Sequence, residues 1–182
     1  MRGGIDAWRG LVAEGIPEAG MAHFSSAASL EEMAGLAWLL EDGNRRFYSG
    51  IAGNVSDEET KKLFNDLAST EERHKSVLLR IYLDKTGKRE DRDFPSSVIH
   101  DAVHNDIMEG GISVSTALEW AKGKDLIELL ELSMSIETNS YDLYLKMMRT
   151  AENGKYGDVF KVLSEEERDH LHRFSSLLEK QH

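Results

Sequence analysis

Apolar residues recur with the period of an α-helix in four long stretches of this chain, and the breaks between them carry capping and terminating residues. Ser29-Leu-Glu-Glu32 reads as a capping box, after which Met33, Leu36, Ala37, Leu40, Phe47 and Ile51 hold one face up to Gly53. This predicts a first helix over residues 29–53. Ser56-Asp-Glu-Glu59 predicts the next start, and Leu63, Phe64, Leu67, Leu78, Ile81 and Tyr82 carry a second helix over 57–86, ending at Gly87. Asp125, with Glu128 three residues on, caps a third helix whose stripe runs through Leu126, Leu129, Leu130, Met134, Ile136, Leu143 and Tyr144 to Thr150. Gly154 and Gly157 break the chain, and Val159, Phe160, Leu163, Leu171, Phe174 and Leu178 mark a fourth helix running to the end.

The segment between 87 and 115 is charged, contains Pro95 and is too long for a tight turn, so it reads as a crossover connection; Thr116 to Ala121 adds a helical turn or two before Gly123. Four long helices with two short connections and one long one predict an all-α four-helix bundle over residues 29–182. Residues 1–28 read as an N-terminal arm and linker. Within it, Gly3-Gly4, Trp8 and Gly15-Ile16-Pro17 resemble the last helix and exit of a rhodanese domain, the alternative being an ordinary arm.

Composition narrows the chemistry. At 182 residues, 40% hydrophobic and 30% charged with only two Pro, the chain suits one helical domain. Its 33 acidic against 22 basic residues give a net charge of −11, which repels nucleic acid at long range. No stretch approaches the roughly 20 apolar residues of a membrane span, and the start lacks the order of a signal peptide, so a cytoplasmic protein without a membrane partner is expected. The absence of Cys excludes disulfides, thiolate catalysis and iron–sulfur clusters. Any metal must therefore use nitrogen and oxygen ligands.

Polar residues inside the apolar stripes supply such ligands. Glu71 and His74, and again Glu167 and His170, stand three apart and leave one face of a helix. The chain also repeats itself. An offset of 96 relates Glu41 to Glu137, Tyr48 to Tyr144, Glu71 to Glu167 and His74 to His170, and it also relates the apolar pairs Leu40 and Ile136, Phe64 and Phe160, Leu67 and Leu163, and Leu78 and Phe174. Helices 1–2 and 3–4 read as two copies of one hairpin. One Glu from each of helices 1 and 3 and one Glu-x-x-His from each of helices 2 and 4 is the ligand set of dinuclear carboxylate bundles. Four Glu carry −4, which two divalent ions would neutralise; iron, manganese or zinc suits such donors. Glu72, Glu165 and Glu166 read as solvated face, and His100 and His104 as surface or linker residues. No role is assigned to His23, His172 or His182. Tyr48 and Tyr144 read as core aromatics whose hydroxyls bond near the site.

On the motifs Glu41-x6-Tyr48, Glu71-Glu-Arg-His74, Glu137-x6-Tyr144 and Glu167-Arg-Asp-His170, the chain resembles the rubrerythrin-like branch of the ferritin-like superfamily over about residues 29–180. The resemblance implies a ferritin-like bundle holding a non-haem di-iron centre, an oxidoreductase of oxidative-stress type that reduces peroxide or oxidises ferrous iron with dioxygen or peroxide. It further implies Glu71 and Glu167 as bridging ligands, Glu41 and Glu137 as terminal ones, one His on each iron, and a homodimer. Two departures stand out. Met134 and Ser140 lie three residues either side of Glu137, where rubrerythrins usually carry a further Glu, and without Cys there is no rubredoxin module, so an external donor such as a rubredoxin-type protein is expected. The alternative function is iron or zinc binding without turnover.

Overall fold

The computed structural model describes residues 29–99, 106–151 and 155–180. The expected N-terminal arm with its rhodanese-like stretch and His23 lies outside the described residues, as do His100, His104 and His182. The chain divides into two units, one within Phe24–Met108 and the other within Glu109–His182.

The first unit is a hairpin of α1 (Leu30–Asn54) and α2 (Glu58–Thr86). At the head of α1, Ser29 Oγ accepts from the Glu32 amide at 3.1 Å and Glu32 Oε2 accepts from the Ser29 amide at 2.7 Å. Such a cap contributes about 1 kcal/mol. The head of α2 differs from the expectation by one residue. Asp57 rather than Ser56 is the cap, its Oδ2 accepting from the Thr60 amide at 2.8 Å and placing a carboxylate at the positive end of the helix dipole. Gly87 ends α2 in the left-handed conformation at φ 69°, which glycine adopts without steric cost. Leu36, Leu40, Phe47 and Ile51 of α1 and Phe64, Leu67 and Leu78 of α2 are all at most 4% exposed.

The connection after α2 is pinned to this hairpin. The Tyr82 hydroxyl donates to Asp91 Oδ2 at 2.5 Å, and Lys88 Nζ reaches both the Tyr82 oxygen and Asp91 at 2.7 Å. Phe94 stacks on Tyr82 with centroids 4.5 Å apart and meets Trp38 of α1 edge-on at 6.1 Å. The hydrogen bonds from Lys88 and then Tyr82 hold the Asp91 carboxyl well below the usual carboxylate range. Farther on, the strand β1 (Ile107–Met108) packs against α1 at Gly43. A Cβ on Gly43 would collide with the Ile107 carbonyl and lie 2.7 Å from the Met108 Cα, both backbone atoms.

The second unit opens with a 3-10 turn, Glu109–Gly111, and a second two-residue strand, β2 (Ile112–Ser113). Gly110 has φ 78°, and its ideal Cβ position lies 3.0 Å from Asn139 Nδ2. The helices α3 (Val114–Ala121), α4 (Leu126–Thr150) and α5 (Lys155–Glu179) follow. The short helix starts two residues before the expected Thr116, because Ser113 Oγ accepts from the Thr116 amide at 3.2 Å. Asp125 and Glu128 form the expected capping box at 2.9 and 3.2 Å. Leu129, Leu130, Ile136, Leu143, Phe160, Leu163 and Phe174 are buried, while Leu126, Met134, Leu171 and Leu178 are only half-buried. Leu132, Met147 and Leu177 belong to the core as well. Among the described residues, no helix is long and apolar enough to cross a membrane.

Two outcomes follow for stability. Gly43→Ala should cost about 1–3 kcal/mol in denaturant unfolding, because backbone must move to admit the methyl group. Gly53→Ala, where nothing lies within 4 Å, should leave stability unchanged or slightly raised.

Asp91 sets a pH dependence. Its folded carboxyl titrates lower than in the unfolded chain, so its stabilisation is present above the unfolded value of about 3.9 and is lost as pH falls through the folded one. Asp91→Asn should therefore melt lower than the unaltered chain at pH 7, and the gap should close as the medium is acidified below about pH 4. A gap that stayed constant down to pH 2 would contradict this reading.

Candidate metal centre

In the first hairpin the apolar stripe of α1 carries Glu41 inward beside Leu40, and α2 brings Glu71 and His74 to the same core from successive turns. Glu41 is 1% exposed and Glu71 and His74 are 0%. His74 Nδ1 lies 3.2 Å from Glu71 Oε2 on its own helix and 3.6 Å from Glu41 Oε1 across the hairpin. A second layer of charge flanks this triad. Lys75 Nζ donates to Asp42 Oδ1 at 2.8 Å and to Glu72 Oε2 at 2.9 Å, and sits 4.5 Å over the Trp38 ring. Arg45 and Arg46 bind the same Asp42 carboxylate at 3.0 and 3.2 Å. Burial raises the Asp42 carboxyl, but hydrogen bonds from Lys75 and Arg45 outweigh it and leave the group below its ordinary value.

The second hairpin repeats the triad with Glu137 on α4 and Glu167 and His170 on α5, exposed by 0%, 0% and 4%. Here the imidazole is closer to the facing helix. His170 Nδ1 makes a 2.8 Å hydrogen bond with Glu137 Oε2 and lies 3.2 Å from Glu167 Oε2. Burial pushes the Glu137 carboxyl up to about 8, with His170 opposing and Glu167 adding to the rise. Burial pulls His170 down, yet the charges and hydrogen bonds of Glu137 and Glu167 prevail and bring it up to about 10.

Each triad can hold a divalent ion. Within each, one ligand atom per residue lies within 4.8 Å of the others, and the donors are carboxylate oxygen and imidazole nitrogen. Two buried carboxylates carry −2, which a single imidazolium halves and a divalent ion cancels. The donor set therefore fits iron, manganese or zinc.

The remaining candidates divide by exposure. Tyr48 and Tyr144 are fully buried, Tyr48 against Phe47 and Phe64 at 5.6 and 5.9 Å and Tyr144 against Phe160 at 6.4 Å. The Glu72 side chain is 58% exposed, Glu165 and His172 are exposed and Glu166 is half-buried. Sequence reasoning gave no part to Lys75 or Asp42, whose ion pair, buried at Lys75 and half-buried at Asp42, sits one residue beyond His74 and Glu41. It also missed Glu109, which is 2% exposed on the 3-10 turn.

Helical hairpins carrying a buried Glu opposite a buried Glu-x-x-His define a class of carboxylate–histidine metal-binding proteins with an all-α, ferritin-like fold. The rubrerythrin family model matches residues 32–178, and the chain belongs to that family. Among solved structures, it is similar to a hypothetical protein from Pyrococcus furiosus, with 27% identity over 91% of this chain and 95% of that one and a TM-score of 0.64. No curated protein matches it.

Metal should stabilise the fold, because it binds the folded triads and neutralises their like charges. At a free ion concentration of about 100 Kd the gain is about 2.7 kcal/mol, so the melting midpoint near neutral pH should rise on loading and fall on chelation. An unchanged midpoint would show that the triads hold no ion.

Proposed function

We propose that the two triads act together as one dinuclear iron centre that reduces hydrogen peroxide, with Glu71 and Glu167 shared between the ions and Glu41 and Glu137 each holding one. The observation that carries this reading is the doubled, buried Glu and Glu-x-x-His set, six residues at most 4% exposed in a chain of the rubrerythrin family. When bound, an iron pair supplies two electrons to the O–O bond of peroxide. The residues do the rest. The four carboxylates match the charge of two divalent ions, and the apolar neighbours Leu40, Leu67, Ile136 and Leu163, all at most 2% exposed, keep bulk water from the ligands. His74 and His170, placed one turn from Glu71 and Glu167, would each offer an unprotonated imidazole nitrogen to an ion.

A second reading, metal binding without turnover, draws support from Ser140, which is 1% exposed three residues beyond Glu137 and offers a hydroxyl where a carboxylate is usual in relatives. Metal analysis and oxidation kinetics on anaerobically iron-loaded protein separate the two. Peroxide should produce one stoichiometric oxidation followed by arrest, since a chain without Cys has no thiolate relay to return electrons. A small reductant or a rubredoxin-type donor should restart it. Binding of iron with no peroxide-dependent absorbance change favours the second reading, and sustained peroxide consumption with no donor favours dismutation. The double replacement Glu71→Ala, Glu167→Ala should empty both positions, whereas Tyr48→Phe should leave metal content nearly intact. A homodimer belongs to the same proposal, and light scattering that reports a monomer removes it.

A further inference from the structure

Glu109 is a buried carboxylate outside the ligand set. It stands on the 3-10 turn that opens the second unit, is 2% exposed, and is not among the residues whose ligand atoms lie within 4.8 Å of one another. Its backbone is held on both sides. Met108 before it is fully buried and packed against Gly43, and Gly110 after it lies against α4, its ideal Cβ position 3.0 Å from Asn139 Nδ2. Bringing a carboxylate out of water is costly, and a glutamine of nearly the same shape would avoid most of that cost. The charge itself therefore calls for a use.

The turn meets α4 at the level of the second triad. It packs on that helix at Asn139, which at 1.5 Å of rise per residue stands only about 3 Å along the axis from Glu137. Ser140, the next residue, is 1% exposed and one turn beyond Glu137 on the same face. A carboxylate is usual there in relatives, and this chain has a hydroxyl. The turn brings a buried carboxylate to the same stretch of α4.

The redox reaction supplies the use. Four ligand carboxylates match the charge of two divalent ions, but reducing one peroxide to two waters takes two protons and two electrons, and the electrons leave the ion pair with two positive charges more than its ligands balance. A carboxylate held near those charges in a medium of low dielectric favours the oxidised pair, whether or not it touches an ion.

We propose that Glu109 is a further carboxylate of the centre, one that offsets charge gained on oxidation and so lowers the reduction potential of the bound iron. This deepens the dinuclear reading given above and rests on it.

The midpoint potential of iron-loaded protein, read by spectroelectrochemical titration, is the measurement. Glu109→Gln, which keeps the shape and removes the charge, should retain the iron content of the unaltered chain. It should raise the midpoint by about 59 mV, the equivalent of a tenfold change in the ratio of ferric to ferrous affinity for a one-electron step. Glu109→Ala, a second neutral variant that places no amide in the core, should shift the midpoint the same way, and Glu109→Asp should recover most of the unaltered value. Glu119→Gln makes the same change of net charge at a side chain 73% exposed in the same unit, and it should leave the midpoint where it was. A midpoint unmoved or lowered in the neutral variants at position 109 overturns the proposal. So does an equal rise in Glu119→Gln, which would mark an effect of net charge alone, or the failure of both neutral variants to fold, which would assign Glu109 to the fold. Absence of iron uptake by the unaltered chain overturns the dinuclear reading and this inference with it, whereas normal uptake with an unmoved midpoint in the variants overturns this inference alone.

Discussion

A carboxylate carried into a dry helical core costs several kcal/mol unless a cation or a proton meets it, and each hairpin of this protein carries two. Much of the local structure can be understood as an answer to that cost. The imidazoles of His74 and His170 lie against the glutamates of their own and the facing helix. In the second hairpin burial pushes the Glu137 carboxyl up to about 8 against the opposing pull of His170, while Glu137 and Glu167 bring His170 up to about 10. The helix caps, apolar stripes and pinned connection serve one end: they hold the facing helices close enough for a side chain on one to answer a charge on the other.

The extent to which the sequence disclosed this depends on the range of the forces involved. Capping boxes at Ser29 and Asp125 were legible because both partners lie within four residues, and the helical stripes were legible because burial on one face imposes a period. The burial of Glu41, Glu71, His74, Glu137, Glu167 and His170 was legible for a rarer reason, since one offset relates them and their apolar neighbours together. Ser56 and Asp57 are both good caps, and only the path of the chain into α2 decides between them. The two-residue strands are too short for any pattern to show. Lys75 was hidden for a different reason. In the run Glu71-Glu-Arg-His-Lys75 a lysine reads as solvated surface, and only the approach of Asp42, 33 residues away, turns it into a buried partner.

Repetition in the sequence also proved a guide to what is not repeated. The ligand positions and the largest core side chains obey the offset of 96, whereas the charged residues around them do not. Two hairpins with the same inner ligands thus carry different residues around them: Asp42 and Lys75 flank the ligands of the first, and Thr138 and Leu171 stand at the matching positions of the second.

The glycine at position 43 reaches beyond stability. The same offset pairs it with Asn139, and the connection between the hairpins touches both residues, through Ile107 and Met108 at the first and through Gly110 at the second. At residue 139 an amide side chain is tolerated against the connection, while at residue 43 not even a methyl group fits its present course. The connection can hold its present course only where this helix position lacks a side chain, so a chain with a larger residue there must route the connection elsewhere.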